Sequence, residues 1–179
     1  KLIMSQELLS KLSTNHIDDL SSSRNEPDWL KDYRKNSLSI YDDMPIETSP
    51  LYNKYTDAKK MSPSKVSLST STTQTIPKFL EKRLGELENE ICIIQIGTNI
   101  YKINLPDDLK SKGLVISSIS DAIKNDSELV KKSLEASNSK EDKFTALNNA
   151  AFNSGIFIHI PRNLIVEKPI HFMICLSDD

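Results

Sequence analysis

His159, His171 and Cys175 are the residues whose types could hold a metal, since imidazole nitrogen and soft sulfur both suit iron or zinc. His171 and Cys175 share the apolar run Ile170-His-Phe-Met-Ile-Cys-Leu, and His159 closes the earlier run Ile156-Phe-Ile-His. If the later run is one regular strand, the four steps from His171 to Cys175 cover roughly 13 Å at about 3.3 Å per residue. Ligands of one ion lie roughly 2.0–2.3 Å from it, so this pair cannot share an ion directly. The reading is therefore no metal site, with His159 and His171 as hydrogen-bonded residues on covered or subunit-facing strands. Cys92 and Cys175 each sit in an apolar run and read as small buried thiols; two cysteines make no disulfide framework.

Catalytic chemistry has little to stand on. The acidic pairs Asp42/Asp43, Asp107/Asp108 and Asp178/Asp179 are adjacent in sequence. Neighbouring side chains point apart in a strand and diverge by about 100° on a helix, so no pair makes a convergent dyad. The four glycines, 85, 97, 113 and 155, form no phosphate-binding loop. His16 has no metal-protease spacing around it. Lys31, Arg34 and Lys35 alternate with Asp28 and Asp32, which argues against a nucleic-acid face. No catalytic residue is assigned, and the chain reads as a non-enzyme.

The elements that must carry these residues differ along the chain. Leu2, Ile3, Leu8, Leu9 and Leu12 are spaced like one face of a short helix, broken at Ser21-Ser-Ser-Arg-Asn. Glu26-Pro-Asp-Trp opens a clearer helix, with proline where a first turn tolerates it and Asp28 near the positive end. Trp29, Tyr33, Ser37 and Ile40 fall on one side of it, with Leu30, Leu38 and Tyr41 beside them. Met44-Pro45 must end it, because a residue before proline is pushed out of helical geometry. The stripe Trp29, Tyr33, Tyr41 has two readings: packing of its own helix, or a partner surface. Residues 62–75 are nine parts in fourteen serine or threonine, so they bury little apolar surface and read as a linker.

Beyond the linker, Lys78 to Glu90 is helix-permissive. Ile91-Cys-Ile-Ile-Gln-Ile, Gly97-Thr-Asn and Ile100-Tyr-Lys-Ile-Asn-Leu read as a hairpin stopped by Pro106. Gly113-Leu-Val-Ile-Ser is a third extended piece. Helices follow from Ser120, from Asn125, and from Asp142, where Phe144, Leu147, Asn148 and Ala151 share a face. From Gly155 the period turns to strand: 156–160, a brief strand Leu164-Ile-Val, and 170–176. Both faces of the last strand are apolar, so both are expected to be covered. Open strands of that kind need partners. The expectation is the front part of a longer protein; the alternative is a small sheet completed with the 91–105 hairpin. The fold class is α+β, divided as 1–61 helical, 62–77 linker, 78–152 α+β, and 153–179 the start of a further β core.

Composition fits a protein outside membranes. The apolar fraction is 37% and the net charge −2, which gives no general attraction to nucleic acid or anionic lipid. No apolar run spans a bilayer and the opening residues lack a secretory core, so the expected compartment is the cytoplasm.

Four blocks, in order, resemble the SufB/SufD family of iron–sulfur assembly proteins. They are Glu26-Pro-Asp-Trp-Leu-Lys-Asp-Tyr-Arg through Tyr41-Asp-Asp-Met-Pro; Pro50-Leu-Tyr-Asn-Lys-Tyr-Thr-Asp; Gly113-Leu-Val-Ile through Glu128-Leu-Val-Lys-Lys-Ser-Leu; and Lys143-Phe-Thr-Ala-Leu-Asn-Asn-Ala-Ala-Phe through Val166-Glu-Lys-Pro-Ile. The last is the most specific. The resemblance implies a helical N-terminal region leading into a right-handed parallel β-helix, here at 153–179. It implies a non-catalytic scaffold subunit, working with a SufC-type ABC ATPase and a paralogous SufB or SufD subunit, as hetero- or homodimer. An iron–sulfur cluster is implied for the assembled complex, with no cofactor bound by this segment. The family's cluster-holding groups lie in parts beyond residue 179, so no residue here inherits that role. Some SufB-type members carry an early cysteine cluster; here the first cysteine is Cys92, which favours SufD-like. Two other classes stand beside this reading. A carbohydrate-active β-helix enzyme would need paired carboxylates on one coil face, and a free-standing protein-binding module would need this segment to fold alone.

Overall fold

The computed structural model describes residues 12–45, 76 and 78–175. They form two compact units: 12–45 with 131–153, and 76 and 78–130 with 154–175. The class is α+β with two small sheets, as composition and periodicity predicted; no closed solenoid is present among the described residues. The 2–12 helical stripe and the 62–75 linker lie outside the described residues, except for Leu12.

The first unit is helical. Helix α1, Thr14–Ser23, escaped the sequence pattern; its start is fixed by Ser13, whose amide donates to Nδ1 of His16 at 3.2 Å. The chain reverses through Asn25 in the left-handed region, φ 52°, a conformation asparagine tolerates better than most residues. Helix α2 runs Asp28–Asp43, between the proline start and the Met44-Pro45 stop that the sequence marks. Met44 is extended, as a pre-proline residue must be. Its buried residues are Leu30, Arg34, Ser37 and Leu38.

Of the later helices, α6, Ser127–Glu135, belongs to this unit from residue 131 onward, and α7, Lys143–Ala151, belongs to it throughout. Asp142 caps α7, accepting from the amides of Phe144 at 2.7 Å and Thr145 at 2.9 Å and from the Thr145 hydroxyl at 2.6 Å. These amides have no partner inside the helix, so the carboxylate satisfies them. The buried face of α7 is Ala146, Asn149, Ala150 and Ala151; of the Phe144–Leu147–Asn148–Ala151 stripe only Ala151 belongs to it. Phe144 is 38% exposed. Small residues one turn apart let α2 approach closely, and large apolar side chains there would hold it off. Ile17, Leu38 and Ala150 close the core, with Leu12 and Tyr41 packed against it.

The second unit is built on one strand. Helix α3, Lys78–Glu86, leads into β1, Ile91–Ile96, and β2, Asn99–Asn104. The β1–β2 hairpin forms as the sequence predicted, turning at Gly97 with φ 57°, the sign that the first position of a type II′ turn demands. A bulge at Ile94/Gln95 leaves Tyr101 as the extra residue of β2. Helix α4, Asp107–Ser111, strand β3, Val115–Ser118, and helix α5, Ile119–Asn125, follow. Strands β4, Ile156–His159, and β5, Ile170–Cys175, complete the unit.

The larger sheet has the order β2-β1-β5, with β5 parallel to β1; β3 and β4 make a separate antiparallel pair. The later strand thus completes a sheet with the hairpin, the alternative raised from sequence. β1 is covered on both faces: Cys92, Ile94 and Ile96 pack with Leu80, Leu87, Met173 and Cys175, while Ile91 and Ile93 pack with Leu114, Ile116, Ile158 and Ile170. Two expectations fail here. Leu164-Ile-Val is not a strand; Leu164 and Val166 reach the core, but their backbone joins no ladder and Ile165 is 79% exposed. The second face of β5 is also not covered by the described residues. Phe172 is 49% and Ile174 63% exposed, because the elements stacked on β1 do not extend over them.

Candidate functional site

The densest polar arrangement lies in the helical unit and centres on Arg34, which is completely buried. Its Nε donates to Oε2 of Glu26 at 2.9 Å and its Nη2 to Oε1 at 2.8 Å, a two-pronged pair with a carboxylate itself nearly buried. Nη1 donates to the carbonyls of Ala150 at 3.2 Å and Phe152 at 3.0 Å. The guanidinium lies over the Phe152 ring, 4.0 Å from its centre. Ser21 adds a hydroxyl donor to Glu26 at 3.1 Å. The planar fork of arginine suits this task, since it serves a carboxylate and the free carbonyls ending a helix at once. Lysine could not make both sets.

Two further contacts tie α2 to the same partner segment. Ser37 and Ser139 share a hydroxyl hydrogen bond at 3.1 Å, and Asn149 donates to Ser139 at 2.9 Å and Ser137 at 3.2 Å. Tyr33 donates to the carbonyl of Leu134 at 3.2 Å, and burial raises its phenol above the ordinary value. At the far end of α2, Lys143 Nζ donates to the carbonyls of Tyr41 at 2.5 Å and Met44 at 2.7 Å and sits over the Tyr41 ring. A cation there complements the negative end of the helix. Tyr33 and Tyr41 are thus engaged within the unit, which answers the aromatic stripe in favour of packing for those two. On the outer face, Asp18 bridges Lys31 at 2.7 Å and Lys35 at 2.8 Å, and these lysines hold its carboxyl below the usual range.

The metal candidates are not brought together. His171 faces Cys92 across the β1–β5 ladder and Cys175 faces Ile96, four steps along the same strand. His159 belongs to the other sheet, opposite Val115. No three His, Cys, Asp or Glu side chains among the described residues converge as metal ligands would. Asp107 and Asp108 are first-turn residues of α4, and Asp42 and Asp43 end α2. No helix among the described residues is long and apolar enough to cross a membrane. What the polar groups do chemically is bind one another: the Arg34 centre offers a partner's anion almost no unused donor.

Residues 11–172 match the family profile described as the SufBD protein N-terminal region. The chain belongs to the SufBD family. It is 30% identical over 176 residues to the iron–sulfur cluster assembly protein SufD of Bacillus subtilis, covering 95% of this chain and 38% of that protein. It is 27% identical over 171 residues to an iron–sulfur cluster assembly SufBD family protein of Staphylococcus aureus strain USA300, covering 89% of this chain and 37% of that protein. The chain therefore spans less than two fifths of the length of these relatives. No solved structure matches it.

In this SufBD-family chain the sequence missed Arg34. It sits among Lys31 and Lys35, in the alternation of charges that argues against a nucleic-acid face. One signal was available: Arg34 falls four residues after Leu30 and four before Leu38, on the buried side of α2, while Glu26 reaches it from the turn ahead of the helix. The distant partners, Ala150 and Phe152, carry no local signal.

Proposed function

We propose that this chain is the N-terminal region of a non-catalytic scaffold subunit, SufD-like, of a SufBCD-type complex that assembles iron–sulfur clusters. The family match across residues 11–172 carries the reading. The relative named SufD supports the SufD-like assignment. The cluster is cargo, held by groups outside this segment. The partners are a SufC-type ABC ATPase and a paralogous SufB or SufD subunit, and the compartment is the cytoplasm. Residues 153–179 open a right-handed parallel β-helix formed with the rest of a full-length chain. The parallel pairing of β5 with β1 favours that continuation, because solenoid strands stack in this sense.

The test is co-expression of the full-length gene product with the ATPase and the paralogous subunit from the same genome. A stable complex on size exclusion, able to transfer a cluster to an apo-acceptor, is the expected result. A well-folded full-length protein that associates with neither subunit would sink the reading.

A further inference from the structure

The two edges of the larger sheet are built differently. At the β2 edge the ladder carries a bulge at Ile94/Gln95, and the charged Lys102 lies in mid-strand. Asn104 ties the end of β2 back to the chain before β1, donating to the carbonyls of Glu90 at 2.7 Å and Glu88 at 3.1 Å. Pro106 follows two residues later and has no amide to offer a ladder. Bulges, lysines and prolines are the devices by which strands refuse further pairing.

Along β5 itself there is none of them; Lys168 and Pro169 stand just before its first residue and leave the rest of the strand open. Its six residues, Ile170 to Cys175, carry no acidic or basic side chain other than His171, and they pair with β1 in unbroken register. The Cys175 carbonyl accepts from the Gly97 amide at 2.8 Å. In a parallel ladder a residue's amide and carbonyl point the same way and alternate residues face opposite neighbours. His171, Met173 and Cys175 therefore bond toward β1, and the backbone groups of Phe172 and Ile174 point to the outer edge. No strand pairs there among the described residues. The exposed side chains of the same two residues stand on one face of the sheet beside that edge. Backbone donors and apolar surface thus coincide at Phe172 and Ile174.

We propose that the β1–β2 hairpin is a one-sided cap: it closes the sheet at β2 and leaves β5 as the edge that receives a further parallel strand. The occupant is a strand from the remaining polypeptide of a full-length SufBD-family chain, of which this chain corresponds to less than two fifths. This rests on the β-helix reading above. It adds which hairpin stops the stack, which edge grows, and which two residues receive the next coil.

Amide hydrogen exchange on this chain and on the full-length product tests it. The Phe172 and Ile174 amides should exchange at least about tenfold more slowly in the longer protein, with the outer-edge amides of β2 unchanged. Ile174→Lys should leave the melting temperature of the 179-residue chain unchanged and lower that of the full-length protein. Protection gained at β2 while Phe172 and Ile174 stay open overturns the cap and leaves room for a β-helix elsewhere. Protection at Phe172 and Ile174 from a strand that nuclear Overhauser contacts show to be antiparallel supports an open β5 edge, but it overturns the parallel addition and the β-helix reading together. No added protection at either edge overturns the proposal outright.

Discussion

Arg34 and Phe152 meet twice: the guanidinium covers the phenyl ring at 4.0 Å, and one of its nitrogens binds the Phe152 carbonyl at 3.0 Å. Phe152 is the C-cap of α7, so a residue of α2 holds the point where the chain leaves that helix. The grip depends on Glu26 neutralising a charge that has no access to water.

Removing one member of such a pair strands the other. Arg34→Ala should therefore destabilise the helical unit by about 3–5 kcal/mol, and Glu26→Leu alone by a similar amount. The double variant Arg34→Met, Glu26→Leu should recover most of the loss, since an apolar pair leaves no buried charge. Urea unfolding followed by fluorescence of Trp29, the only tryptophan and a residue of α2, reads the relevant unit. A double variant no better than either single change would show that the carbonyl contacts, rather than the charge pair, dominate.

How much of this is legible in the sequence depends on how local the cause is. The ends of α2 are written in Pro27 and Pro45, and the hairpin in Gly97 between β-branched runs, so each element is visible within a few residues. α1 is not, because its buried residues, Ile17 and Ser21, make no apolar stripe. The buried face of α7 departs from its apolar stripe because alanines, rather than the largest apolar residues, set the contact with α2. Arg34 escapes for a related reason: its burial is decided by residues more than a hundred positions away. The separation of His171 from Cys175 follows from strand geometry alone and holds in β5.

Asp142 allows a prediction with a definite sign. Its hydrogen bonds from the Thr145 hydroxyl and amide, and from the Phe144 amide, lower its pKa against a smaller opposing effect of burial. A carboxyl whose folded pKa is depressed stabilises the fold above its unfolded value, and that stability is lost as pH falls through the folded value. Asp142→Ala should cost about 1 kcal/mol near neutral pH, and Asp142→Asn less, because an amide oxygen still caps. The gap between wild type and Asn should close between about pH 5 and pH 1. Thermal melts across that range would reject the assignment if the gap stayed constant.

Gly113 is the position where backbone, rather than packing, is decisive. It sits at φ 90°, where side chains are strained, and an added Cβ would lie 3.1 Å from Cγ of Pro161. Gly113→Ala should lower stability by about 1–3 kcal/mol, although alanine normally restricts the unfolded chain and helps. Gly85, with a helical backbone and nothing within 4 Å of where a methyl would stand, should respond in the opposite direction. Parallel melting of the two variants checks the contrast, and equal responses would refute the strain argument.

Ile93 and Ile165 separate burial from hydrophobicity in the second unit. Both are isoleucines in apolar surroundings in sequence, yet Ile93 is 0% exposed and Ile165 is 79% exposed. Ile93 lies on the central strand against Leu114 and Ile116, where the neighbours cannot close a void without moving both sheets. Ile93→Ala should cost about 2–5 kcal/mol, and Ile165→Ala no more than about 0.5 kcal/mol. In 164–166 only the outer residues, Leu164 and Val166, reach the core, so truncating either should fall between these limits. A full loss from Ile165→Ala would mean that the side chain is covered in solution by something beyond the described residues. Since Ile165 shares the second unit with Phe172 and Ile174, repeating the substitution in the full-length protein reads whether that cover arrives with the rest of the chain.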